Sequence, residues 1–447
     1  MSDNHPSSPY ESPQEERTSY KIYALVVVGI GYLTNQIDRN LMSVLIEPIR
    51  LEFGLTDTEI ALVSGFSFAL FYGLFGFPLG RAVDRYSRRN LIVLTQMGFS
   101  AFTFICGLAQ HFMHLVLARV GVAVGEAGSY PAGLSFLTDL FPLRQRTRVM
   151  AVFNGFAYLG FLCGFLIGGW VGQFFGWRTA FMVAALPGIL ISLITWATLR
   201  EPVRTSLSGT AAHEQPESFR DTFRFLVRQK ALMHMIVGAT LGQSANVAFT
   251  VWLPVVLIRT FGMDLGPAGT YIALIFGIGG CCGTLLIGFL VDHLTKRDVR
   301  WAFWIVIAFT MVLVPTSLMM IFSDNLNFFL FLMIIPGAFG ATYVPPALAM
   351  LQSLAPPRMR GVASSFYMLG VYLVGLPFGV QVVGTLSDII KPELGSNSVK
   401  YALLALIIFP TWSIFHFWRA SQYLKNDLAN AQSRDTMAKV STSPSTT

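Results

Sequence analysis

Gly80 to Arg89 reads GRAVDRYSRR and Gly288 to Arg297 reads GFLVDHLTKR, and each closes a long apolar run. Both place a Gly four residues before an Asp, Asp84 in one and Asp292 in the other, and both end on two adjacent cations. The two copies lie about two hundred residues apart in a chain that otherwise avoids charge. Charged side chains form 12% of the 447 residues, about half the ~25% of ordinary soluble domains. With 53% hydrophobic residues and a mean hydropathy of +0.58, no water-soluble core could hide the apolar surface, so the chain reads as a polytopic membrane protein.

Hydropathy picks out twelve runs long enough to cross a bilayer, from Lys21–Ile49 to Tyr401–Tyr423. Eighteen Lys and Arg lie in the loops after even-numbered runs. Five follow odd-numbered ones: Arg50, Arg178, Arg259, Lys391 and Lys400. That bias predicts both termini in the cytoplasm and explains the net charge of +7 without nucleic acid. The longest loop splits the runs six and six. The reading is therefore a disordered cytoplasmic tail over 1–19, a six-helix bundle over 20–200, a cytoplasmic linker over 201–222, a second bundle over 223–424 and a disordered cytoplasmic tail over 425–447. A further echo, PLRQR at Pro142–Arg146 and PPRMR at Pro356–Arg360, supports two pseudo-symmetric halves. The four cysteines sit in apolar stretches without metal-ligand spacing, so neither a cofactor nor a metal is expected.

Asp84 ends the second helix, where a carboxylate opposes its own helix dipole and wants a positive partner. The expectation is a cytoplasmic latch. Asp84, in one motif with Gly80, would cap the start of helix 11, and Arg85, Arg88 or Arg89 would reach Asp139 at the end of helix 4. Asp292 would play the same part in the second half.

The doubled motif and LARVGVAVGEAG (Leu117–Gly128) resemble the major facilitator superfamily. NQIDR (Asn35–Arg39), VDRYSRR after helix 2, GEA (Gly125–Ala127), DLF (Asp139–Phe141) and RTR (Arg146–Arg148) are similar to its spinster branch. That resemblance implies an alternating-access carrier in a bacterial inner membrane, and it points to Asp38, Arg39 and Glu126 for proton coupling and substrate contact.

The same residues stand out on physical grounds, because ionisable groups within the bilayer are costly and become functional candidates. By the ~1.5 Å rise per residue, Asp38 lies roughly 16 Å and Glu126 roughly 20 Å from the outer ends of their helices. Arg39 is expected to reach Glu126 while Asp38 faces the cavity. Arg119 lies nearer the outside, where it could snorkel to the surface. Arg119 is nonetheless a candidate cavity residue, together with Asn35, Tyr130, Gln243, Asn246 and Tyr343. Gly160, Gly164 and Gly168 form a small-residue face on helix 5 that suits close packing and could meet the other half. The substrate implied by the resemblance is an amphipath such as a lysophospholipid or sphingoid lipid, moved by a monomer with protons, among membrane lipids. A small organic anion or a lipophilic drug is the alternative, and a transporter-shaped receptor a weaker one.

Overall fold

The computed structural model of the chain describes residues 18–202, 219–356 and 359–441. Twelve long helices run back and forth across the molecule. They are α1 Thr18–Phe53, α2 57–85, α3 Arg88–Cys106, α4 Phe112–Leu140, α5 143–175 and α6 177–198. Then follow α7 Lys230–Arg259, α8 265–294, α9 Trp301–Ile321, α10 326–354, α11 360–394 and α12 398–441. The face where α1 begins and α12 ends is called the near face below, and its opposite the far face. Helices α1–α6 form one lobe and α7–α12 the other.

Among the described residues seven stretches are long and apolar enough to cross a membrane, and two of them, 144–198 and 362–433, hold two helices each. Those two are parted at Gly176 (φ 82°) and Gly395 (φ 54°). Outside the seven are α1, α3 and α4, and two of these carry the buried charges.

The sequence repeat is a backbone repeat as well. FGL at Phe53–Leu55 and FGM at Phe261–Met263 make the turns into α2 and α8, and Gly54 and Gly262 share φ 65°, a left-handed turn that favours glycine. The spacing from Gly54 to Gly262 equals that from Asp84 to Asp292. Four helices contain a wide π turn: α2 at Leu62–Ser67, α5 at Ile167–Val171, α8 at Ala273–Gly279 and α11 at Leu369–Gly375. All four meet partners across the lobes, α2 on α11 and α5 on α8. A Cβ on Gly65 would lie 3.1 Å from Val380, and one on Gly169 would lie 3.0 Å from the Leu265 carbonyl. π turns bend helices and gather at functional sites.

Two expectations need correction. Gly160, Gly164 and Gly168 face α1 within their own lobe. Cβ atoms there would meet the Leu33 carbonyl at 2.3 Å, the Ile37 carbonyl at 2.7 Å and Val44 at 2.3 Å. Gly169, one position past the stripe, meets Leu265 and Gly266 of the other lobe, and Gly172, the next step of the stripe, stands between Leu45 of α1 and Leu265. The tail drawn over 425–447 is helical as far as Ser441, with Leu424, Asp427 and Ala431 buried. Three Ala, two Lys and single Leu, Gln, Arg and Met in that segment favour helix. Residues 1–17, 203–218 and 442–447, where the other tail and most of the linker were read, lie outside the described residues; a short helix, Phe219–Arg228, leads into α7.

Candidate functional site

The charged turn of α1 sends its two ionised side chains to different partners, as residues ~100° apart on a helix must. Asp38 Oδ2 accepts from Arg119 Nη1 on α4 at 2.6 Å, and its Oδ1 accepts from Thr103 Oγ1 on α3 at 2.6 Å. Arg39 Nε donates to Glu126 Oε2 on α4 at 2.6 Å. Two acids and two guanidiniums thus form two ion pairs, one on each side of the α1–α4 contact, with no net charge.

The pairs differ in access. Asp38 and Arg119 are sealed, with side chains 3% and 2% exposed, and Glu126 is fully buried. Arg39 keeps 21% of its side chain open. The expectation that Asp38 faces the cavity is therefore corrected: Arg119 holds it inside the lobe. Arg119 in turn does not snorkel, because Asp38 lies within direct reach and removes the drive toward water.

Sequence reasoning missed the aromatic wall around these cations. Phe68 of α2 lies between them, 5.2 Å from the Arg39 guanidinium and 5.4 Å from that of Arg119. Tyr72, one turn on, lies 4.7 Å from Arg39, and its ring centroid is 6.0 Å from that of Tyr372 on α11. The π turn of α2 ends just before Phe68 and sets the face this pair presents. The i, i+4 aromatic spacing in FALFY (Phe68–Tyr72) was the available signal. Near-neighbour stacking on a desolvated cation contributes about 0.5–2 kcal/mol per ring.

Asn35 is 1% exposed, and neither its amide nitrogen nor its oxygen has a partner. Glu126 Oε1 and Arg119 Nε are also unpartnered. Tyr130 stacks with Tyr32 at 5.1 Å and Phe153 at 5.8 Å, one turn nearer the near face than Glu126. In the second lobe the Tyr343 hydroxyl donates to Gln243 Oε1. Asn246 and Tyr343 line a cavity of about 30 Å³ where α10 breaks at Gly340–Tyr343. That space holds about two waters. It belongs to the second lobe alone and does not join Arg39.

At the near face, Arg88 Nη2 reaches Asp139 Oδ2 at 2.6 Å, and its Nε donates to Ser135 Oγ at 2.9 Å. Both contacts lie within the first lobe, so this pair staples α3 to α4 and does not bridge the lobes. The start of α3 is capped by Glu201, which accepts from Ser87 Oγ (2.7 Å) and from the backbone N–H groups of Arg88 (3.0 Å) and Arg89 (2.8 Å). Arg89 also donates to the Trp196 carbonyl. Gly80 has open space where a Cβ would stand, Arg85 is exposed, and a cavity lies against Pro78, Arg81, Ala82, Arg85 and Tyr86. Asp292 is exposed on the near face. The side chain of Asp84, with Pro357 and Arg358 at the start of α11, lies outside the described residues.

The sequence pattern of the Major Facilitator Superfamily matches residues 28–418. An MFS-type efflux pump of Mycolicibacterium smegmatis is 31% identical over 91% of this chain and 94% of its own. The cis,cis-muconate transport protein of Acinetobacter baylyi is 27% identical over 82% and 87%. A crystal structure of a bacterial homologue of the human lysosomal transporter Spinster, inward-facing and unoccupied, superposes with a TM-score of 0.83 at 25% identity. The match covers 92% of this chain and 99% of that one.

Proposed function

The chain belongs to the Major Facilitator Superfamily, a transporter and not an enzyme, and we propose that it couples a proton to an amphipathic organic anion through competition for Arg39. One observation carries this reading: the Arg39 guanidinium is shared between a fully buried Glu126 and open space walled by Tyr72 and Phe68. An anionic group entering that space takes Arg39 from Glu126. A carboxylate stranded in the membrane interior is far more costly ionised than neutral, so Glu126 then takes a proton. Substrate and proton enter together and leave together, which makes the carrier a symporter. The aromatic wall receives the apolar or aromatic body of the substrate. Asp38, sealed by Arg119 and Thr103, fixes the α1 turn that aims Arg39.

The Lys and Arg bias supports a cytoplasmic near face, and the bacterial origin of the relatives supports an inner-membrane location. A muconate carrier among the relatives supports a small dicarboxylate or aromatic acid as substrate. The likeness to the Spinster homologue favours a second reading, a lysophospholipid whose headgroup phosphate takes the place of the carboxylate. The test is a thermal-shift panel of purified protein with cis,cis-muconate, benzoate, a lysophosphatidic acid and lysophosphatidylcholine. Ligand addition to unbuffered protein is followed with a pH dye. Stabilisation by an anion with uptake of one proton supports the proposal. Binding without proton uptake, or unchanged binding in Arg39→Gln, overturns it.

A further inference from the structure

The far face holds a second charged assembly, built from both lobes, that the transport site does not use. Arg259 ends α7 in the second lobe and donates into the first lobe through all three guanidinium nitrogens. Its Nε binds Glu47 Oε2 of α1 at 2.6 Å, and Nη1 and Nη2 bind the two oxygens of Asp57 at the start of α2 at 2.8 and 2.7 Å. The side chains are 8%, 7% and 0% exposed. Arg50 braces Glu47 from its own helix at 2.9 Å, and Ser387 of α11 donates to Asp57 at 2.7 Å.

Beside it, Asp388 of α11 reaches the start of α2. It accepts from the backbone N–H groups of Asp57 (2.9 Å) and Thr58 (2.7 Å) and from Thr58 Oγ1 at 2.6 Å. These are charge-assisted bonds to donors that also carry the positive end of a helix. The pseudo-symmetric position in the other lobe does the same with a neutral group: Gln173 Oε1 of α5 accepts from the Gly266 N–H at the start of α8 at 2.7 Å. Each lobe therefore caps the other's helix at the far face, and one of the two caps is charged and joined to a buried arginine.

We propose that Arg259 and Asp388 are the latch that keeps the far face closed in the transport cycle, and that it must break for that face to open. Every bond of the assembly between α7 or α11 and α1 or α2 crosses the lobe boundary, so parting the lobes there breaks all of them together. A purely structural cluster inside one lobe would move as a unit and survive. The Gln173 cap, with no charge to desolvate or strand, is the weaker partner. The inference does not depend on which substrate is carried.

The test uses full-length protein in lipid nanodiscs with native cysteines replaced and spin labels at Leu51→Cys and Phe322→Cys. Both sites are exposed and lie on opposite lobes at the far face. Double electron–electron resonance without substrate reads the distance distribution. Arg259→Gln and Asp388→Asn are expected to raise a longer-distance population at least tenfold relative to the unmutated latch, and Gln173→Ala by less than threefold. Should Arg259→Gln fail to fold, Arg259→Lys and Thr58→Val, which each remove part of the assembly, carry the same expectation with smaller shifts. Unchanged distributions in the folded latch variants, or an equal shift from Gln173→Ala, overturn the proposal. Because no ligand is added, failure here leaves the Arg39 reading standing, and failure of that reading leaves the latch.

Discussion

Glu126→Gln separates proton coupling from binding. In the unliganded site Arg39 is held by Glu126 at 2.6 Å with the carboxylate fully buried. An entering anion must displace that partner, so the binding-competent fraction of Arg39 is reduced and the apparent affinity falls by the same factor. Glutamine can still accept one hydrogen bond but carries no charge. A bond to a charged group contributes about 1.5–3 kcal/mol against about 1 for a neutral one, so the competitor weakens by about 1–2 kcal/mol. That corresponds to binding about 5–30 times tighter at pH 8. The pH slope must vanish with it. If one proton enters with each anion, wild-type Kd changes by about tenfold per pH unit, about 100-fold between pH 8 and pH 6. In Glu126→Gln it should stay within about twofold. Titration calorimetry with the anion chosen by the thermal-shift panel, at half-unit pH steps, gives both quantities. A variant that keeps the wild-type slope, or binds tenfold more weakly at pH 8, would refute the competition mechanism.

The remaining expectations concern the frame around that site. Arg119→Gln strands Asp38 in a sealed pocket and should cost about 3–5 kcal/mol, while Asp38→Asn with Arg119→Gln recovers most of that loss, measured by chemical denaturation in a double-mutant cycle. Tyr72→Phe should leave affinity within about threefold, because the ring stays over Arg39, whereas Tyr72→Leu loses about 0.5–2 kcal/mol of anion binding as read by calorimetry. Gly160→Val forces α1 and α5 apart, since a Cβ already stands 2.3 Å from the Leu33 carbonyl. Overpacking of about 1–3 kcal/mol is expected, with a lowered Tm and impaired transport, because the shifted segment carries Asp38 and Arg39.

The twelve helices and their six-and-six division were legible because lipid imposes a length and an apolar composition on each span, which local sequence records directly. The Arg39–Glu126 pairing was legible too, since two buried opposite charges at equal depth have few other partners. What failed was orientation. Nothing in NQIDR says which of Asp38 and Arg39 turns inward, because that depends on Arg119 and Thr103 arriving from two other helices. The face assigned to the Gly160 stripe failed for a related reason. Spacing shows that the three glycines share a face but not which neighbour that face meets, which depends on α1 packing there from its own lobe. The far-face assembly was hidden by the topology count itself. Arg50 and Arg259 were tallied as the sparse cations of the other side, and the same sparseness marks them as residues kept there against the bias.

The capping logic expected at the near face is present at the far one, and the geometry of α2 and α11 explains how both can belong to one cycle. The two helices run antiparallel across the lobe boundary. At the far face the start of α2 meets the end of α11, and Asp388 supplies the carboxylate. At the near face the same antiparallel run leads the start of α11 toward the end of α2, where the sequence carries Asp84. If Asp84 caps α11 as the sequence leads one to expect, each helix carries near its end an acid suited to the other's positive terminus, and a rigid rocking of the lobes would bring together only one end at a time. With the far face closed, Gly80 near the other end of α2 has open space around it, as this alternation requires. The two acids should therefore act with opposite sign. Asp388→Asn shifts the population toward far-face opening, and Asp84→Asn shifts it toward near-face opening, each by the ~1.4 kcal/mol or more that makes a tenfold change. Cysteine accessibility at Leu51→Cys on the far face and Tyr86→Cys on the near face reads the two populations separately. Shifts of the same sign in both variants would mean that the two ends are not alternatives, and the reciprocal cap would have to be abandoned.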